Sequence, residues 1–133
     1  MNSFDYSDTL WDIFSNDSKL VELLGIDTED EGSYALKLRQ EDVVPEEYDA
    51  DNLPFVAFYF SEANITRNDY MNNGLLRIDI YSATRDSVKY IRERIVELVH
   101  ENVDERIRSE GQYSSGIRNV YKYRLEFTPL IFT

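Results

Sequence analysis

Carboxylates are the commonest reactive groups in this chain: 26 Asp and Glu stand against 14 Lys and Arg and a single histidine. Clustered carboxylates hold hard cations, so Asp27-Thr-Glu29-Asp30-Glu31-Gly32 is the first segment to test. It lacks the D-x-[DN]-x-[DN]-G spacing of a calcium loop and the bidentate Glu at the twelfth position. A second acidic run, Glu41-Asp42 with Glu46, Glu47, Asp49 and Asp51, has no ligand spacing either. His100 stands near the end of a long helical pattern, where an imidazolium suits the helix dipole and needs no other role. There is no cysteine, hence no thiolate metal site, nucleophilic thiol or disulfide framework. Nucleophile elbow, phosphate loop and H-E-x-x-H pattern are all missing. The expectation is a protein that is not an enzyme and takes no cofactor and no metal.

Two binding chemistries remain to be weighed. Tyr121, Tyr123 and Phe127 alternate as base-stacking aromatics do on an RNA-binding sheet, but no recognition motif accompanies them, and core packing accounts for them. The formal net charge of −12 opposes nonspecific contact with nucleic acid and with anionic lipid. The charge is also uneven: residues 1–54 hold 15 acids and 3 bases, and residues 55–133 hold 11 of each. Such a block either solvates a surface or forms a wall of one sign facing DNA or a basic partner.

The most unusual feature is apolar. Leu130-Ile131-Phe132 lies at the C-terminal end, where chains are commonly polar and frayed. Ile65, Tyr70 and Met71 sit in an otherwise polar stretch, 64–73. These six residues are the candidate contacts with another subunit or a partner.

The elements that position these groups follow from periodicity. A chain of 133 residues suits a single domain over 1–133. Residues 6–24 read as helix with a break at Asn16-Asp17-Ser18, and Gly25 stands at a C′ position. Residues 26–54 form an acidic loop region, with a short strand at 34–39. Phe55–Phe60 is apolar on both parities and predicts a central strand. Residues 64–73 predict a protruding loop closed by the Asn73-Gly74 turn signal. Leu76, Ile78 and Ile80 make 75–82 a one-faced strand, with Arg77 and Asp79 on the other side. Val88, Ile91, Ile95, Leu98 and Val99 give the stripe of an amphipathic helix over 84–103. A Ser/Gly loop at 109–116 precedes a last strand at 117–127. The fold class expected is α+β: a mostly antiparallel sheet of about four strands, with two helical segments packed on one face. The N-terminus has no signal-peptide pattern, and no apolar run approaches the ~20 residues of a membrane span.

The helix ending in Leu20-Val-Glu-Leu-Leu-Gly25, the strand opening Leu53-Pro-Phe-Val56, and the strand Leu75-Leu-Arg-Ile-Asp-Ile-Tyr-Ser82 running into a helix over 85–103 resemble a phage family. It comprises the small tail-terminator and head–tail joining (tail completion) proteins of long-tailed phages and prophages. The resemblance implies a structural protein of the virion tail or neck, assembled in the host cytoplasm, with no membrane association. Its copies would form a ring, usually of six, on the end of the tail tube, while remaining monomers in solution. The ring would stop tube growth and present a surface to the head connector. Its partners would be itself, the tail tube protein and head connector proteins, with DNA as cargo that passes without binding. In that setting Asp27, Glu29, Asp30, Glu31, Glu46, Glu47, Asp49 and Asp51 are candidates for an acidic wall of the DNA channel. Two other functions fit the same residues: another head-completion or minor capsid protein, and an acidic DNA-mimic inhibitor.

Overall fold

The computed structural model describes residues 3–42, 52–65 and 71–132. The chain is α+β. Its elements are α1 (Ser3–Ser15), α2 (Ser18–Leu24), α3 (Glu31–Lys37), β1 (Leu38–Arg39), β2 (Phe55–Ile65), β3 (Met71–Ser82), α4 (Arg85–Val103), β4 (Ser109–Ser114), β5 (Tyr121–Phe127) and β6 (Leu130–Phe132). The sheet order is β1-β2-β3-β5-β4, and β6 continues along β3 beyond β5.

The helices form where apolar spacing and caps agree. Tyr6, Leu10 and Phe14 recur every fourth residue of α1 and are buried. Asp17 ends that run and starts the next, its carboxylate accepting from Leu20 N at 2.9 Å as the N-cap of α2. Gly25 closes α2 with φ of 70°, a left-handed conformation that suits a residue without Cβ. Thr84 caps α4, and Val88, Ile91, Ile95, Leu98 and Val99 are all buried beneath it, as their spacing predicts.

One face of the sheet takes the helices. Val56, Phe58, Leu76, Ile78, Leu125 and Phe127 pack against α1, α2 and α4 in a single cluster. Phe14 meets Phe58 edge to face, with ring centroids 5.3 Å apart. Tyr6 meets Phe60 in the same geometry, and its hydroxyl is buried without a hydrogen-bond partner among the described residues.

The structure corrects the expected architecture in five places. Helices number four among the described residues, not two segments, because α3 occupies most of the expected 34–39 strand. Asp30 makes that helix possible: its carboxylate accepts from Gly32 N at 2.9 Å, and Tyr34 then reaches Trp11. Only Leu38 and Arg39 remain extended. The sheet is mixed and has five strand positions rather than about four. β1 runs parallel to β2, and the long connection between Arg39 and Phe55 is the crossover that such a pair requires. The expected Ser/Gly loop at 109–116 contains β4, an edge strand recruited by β5, so the ladder overrides the weak strand propensity of Ser-Glu-Gly-Gln.

The fourth correction concerns 64–73. Ile65 still belongs to β2 and Met71 already to β3, so both ends of that range are strand, and residues 66–70 lie outside the described residues. Asn73-Gly74 is not the turn. Ser61 pairs with Leu75 and Asn64 with Asn73, which leaves residues 62 and 63 opposite the single Gly74. This is a β-bulge, a place where a strand accepts glycine. The last strand is also shorter than 117–127. Asn119, at φ of 65°, turns the chain before β5 begins at Tyr121.

Candidate interaction surface

The side of the sheet that faces away from the helices is built in rows, because residues opposite each other on neighbouring strands share a face. The first row runs Phe55, Tyr81, Lys122, Tyr113, and the second Arg39, Ala57, Asp79, Arg124, Gly111. The third runs Tyr59, Arg77, Glu126, Ser109. Aromatic rings and charges of both signs therefore lie side by side on this face.

Asp79 lies at the centre of this face and is 0% exposed. Arg124 Nε donates to its Oδ1 at 2.8 Å, and Arg124 Nη2 reaches Oδ2 at 3.2 Å. Tyr59 donates its hydroxyl proton to Oδ2 at 2.9 Å while accepting from Arg124 Nη2 at 3.2 Å. Lys122 Nζ stands 3.8 Å from the same oxygen. Burial, reinforced by the Asp79 charge, pushes the phenols of Tyr59 and Tyr81 well above their ordinary range.

Cations also cover the rings. The Arg39 guanidinium lies 4.3 Å from the Phe55 centroid, Phe55 stacks on Tyr81 at 4.7 Å, and Lys122 stands 5.5 Å from the Tyr81 ring. Arg124 reaches over Tyr113 at 4.6 Å. Glu126 joins the third row by accepting from Arg77 and Ser109. This arrangement ties the five strand positions together laterally, with cations lying over the ring faces.

The residues singled out as subunit contacts converge in part. β6 pairs with the start of β3 in the register Met71↔Phe132, Asn72↔Ile131 and Asn73↔Leu130. Ile65 pairs with Asn72 from the other side. Ile65, Met71, Leu130, Ile131 and Phe132 thus share one end of the sheet, and the backbone of 130–132 is zipped onto the chain's own β3. Tyr70 lies outside the described residues.

The acidic wall divides similarly. Glu46, Glu47, Asp49 and Asp51 lie outside the described residues. Asp27, Glu29, Asp30 and Glu31 are exposed. Two of them are occupied locally, however: Asp27 accepts from Glu29 N at 3.0 Å, and Asp30 caps α3. Part of the acidity therefore starts a helix. Glu29 and Glu31 have no such employment in the backbone. His100 is exposed in the last turn of α4. Among the described residues no group of three or more His, Asp or Glu is placed to hold a metal. Nor is any helix there long and apolar enough to cross a membrane.

No protein-family model matches the chain, and no curated protein matches it.

Sequence reasoning missed Asp79 as a buried centre. Alternation places it with Arg77 on the side opposite Ile78 and Ile80, which by itself says nothing of burial. The usable signal was the same parity on three strands: Tyr59, Asp79 with Tyr81, and Lys122 with Arg124 carry rings and opposite charges at positions that become neighbours.

Proposed function

We propose that this chain is a non-enzymatic assembly subunit of a long-tailed phage or prophage: a tail-terminator or tail-completion protein. Its copies form a ring on the end of the tail tube, stop tube growth, and join the tail to the head connector. The layout behind the resemblance supports this reading: helix, long strand pair, a helix entered directly from β3, and closing strands. The observation that carries it is the joined end of the sheet. There the tip-side residues of β2 and β3 and the apolar segment 130–132 form one ladder. That ladder brings the backbones of Ile65, Met71 and Leu130–Phe132 to one end of the sheet, the end offered to the tube or the connector. In the assembled ring, Glu46, Glu47, Asp49 and Asp51 supply a carboxylate wall, and DNA passes as cargo because phosphate is repelled there.

The test is genetic and visual. Inactivating the gene in the phage or prophage that encodes the chain is expected to yield overlong tails without attached heads under the electron microscope. Tails of ordinary length, joined to heads, overturn the reading.

A further inference from the structure

The second half of the chain is neutral overall, but its cations are not evenly placed. Arg85, Lys89 and Arg92 stand at i, i+4 and i+7 on α4 and so form one stripe of that helix. The stripe borders a cleft of about 310 Å³ between α4 and the β4–β5 edge, where Tyr121, Lys122 and Tyr123 also line it. Among the described residues no acid lines this cleft, although Glu110 sits against two of its lining side chains. Arg92 is already engaged: its Nη2 sits 2.7 Å from Glu110 Oε2, and Tyr123 donates to Glu110 Oε1 at 2.6 Å. Arg85 and Lys89 are exposed and make no ion pair among the described residues.

The opposite charge lies at the opposite edge. α3 packs beside β1 and β2, and its approach, Asp27 to Glu31, is exposed and acidic. The strand order places β1 at one side of the sheet and β4 at the other. Within one subunit the acidic approach and the cationic cleft are therefore separated by the width of the sheet, roughly 19 Å for four strand spacings. They have no way to meet each other except between copies.

We infer that copies of this chain associate head to tail, the 27–31 segment of one copy seating in the α4/β4–β5 cleft of the next. Pairing either patch with itself sets like charges together, so each contact joins unlike patches. A reciprocal two-fold pair would use both patches of both copies at once; the head-to-tail contact leaves one of each free and so repeats until it closes a ring or runs open. Glu29 and Glu31 supply the free carboxylates, since Asp27 and Asp30 are tied into the helix start. Arg85 and Lys89 supply the free cations, and the tyrosine-lined wall of the cleft accommodates the aliphatic stems of the glutamates. The inference rests on the self-assembly part of the proposed function and names the surfaces that perform it. It also divides the acidic block, assigning 27–31 to the subunit contact and leaving only 46–51 for a channel wall.

The test is a charge exchange followed by sedimentation and light scattering on the full chain. The wild type is expected to self-associate at low ionic strength and to dissociate as salt shortens the Debye length towards about 8 Å. R85E/K89E and E29K/E31K should each weaken self-association by about tenfold or more, which is several exposed ion pairs' worth. Mixing the two variants should restore association, and the four-fold variant should associate by itself. That recovery also shows that both variants fold. Wild-type association that neither pair of substitutions weakens overturns the inference while leaving the ring reading in place. So does a mixture that fails to recover. A wild type that stays monomeric at low salt also overturns it. The ring reading is judged separately, by tail length. Loss of association on adding inorganic phosphate, with no response to E29K/E31K, shows that the cleft takes a small anion instead.

Discussion

The two faces of this sheet are made by alternate residues of the same strands, yet they hold together by different means. On the helix side, Ile78 and Ile80 of β3 join Phe58, Leu125 and Ile95 in close apolar packing. On the other side, Asp79 and Arg77, their neighbours in the chain, are held by Arg124, Tyr59, Lys122 and Glu126. The first face loses stability when volume is removed. The second loses it when a charge is left without its counterpart. A strand's period of two therefore separates positions that differ in chemistry, and burial does not follow from which side the helices cover.

The sharpest way to break the comparison is at Asp79. Asp79→Ala is expected to cost about 3–5 kcal/mol in urea denaturation, because it leaves Arg124 and Lys122 clustered without their carboxylate. Adding Arg124→Ala should cost less than the sum of the two single changes, since the second removes a charge already orphaned. Strict additivity would mean that the open face is held by packing, like the other.

Ile95→Ala probes the helix-covered face and is expected to cost about 2–5 kcal/mol, as a 0%-exposed side chain leaves a cavity behind. A loss below about 1 kcal/mol would show that α4 collapses into the space, so that this face is looser than its burial indicates.

The smallest effect belongs to the seam between helices. Arg94 clamps Asp17 through 2.6 and 2.9 Å bonds, and these hold the Asp17 carboxyl below its usual range. A depressed pKa contributes stability that is fully present above the unfolded value, near 3.9, and is lost as pH falls through the folded one. Asp17→Asn keeps a good N-cap but loses the ion pair with Arg94, and is expected to cost about 1 kcal/mol or less at neutral pH. It should also flatten the loss of stability below about pH 4 that the wild type shows in acid titrations followed by circular dichroism. An unchanged acid limb would place that dependence elsewhere, with Glu110 next, since Arg92 lowers its pKa as well.

Where the sequence was legible, the signal was local and repeated. The stripe from Val88 to Val99 marks α4, the alternation through Leu76, Ile78 and Ile80 marks β3, and Asp17 and Gly25 bracket α2. What escaped depends on partners distant in the chain. β4 has almost no intrinsic strand character and exists because β5 offers it an edge. α3 is seven residues long and needs both the Asp30 cap and the Trp11–Tyr34 contact. Asn73-Gly74 carries a strong turn signature that the opposing bulge overrides. Of the candidate contact residues, five share one end of the sheet, but only the β3–β6 ladder brings the last three to the first two. The Arg85, Lys89, Arg92 stripe could be read from spacing alone. Its meaning depends on β1 and β4 lying at opposite edges, which no local pattern states.

The crossover from β1 to β2 has a consequence for how this protein can vary. Parallel pairing asks only that the chain return to the starting end of the strand. Lys37 Nζ, bonded to Pro54 O at 3.2 Å, ties the departure and the return together. Beyond that minimum, closing the crossover sets only a weak limit on its length, since each doubling of a loop costs about 0.6 kcal/mol in closure entropy. An acidic run, from Glu41 to Asp51, lies within this connection in the sequence. Relatives adapting to a different neighbour are expected to differ first here, in length and in sign.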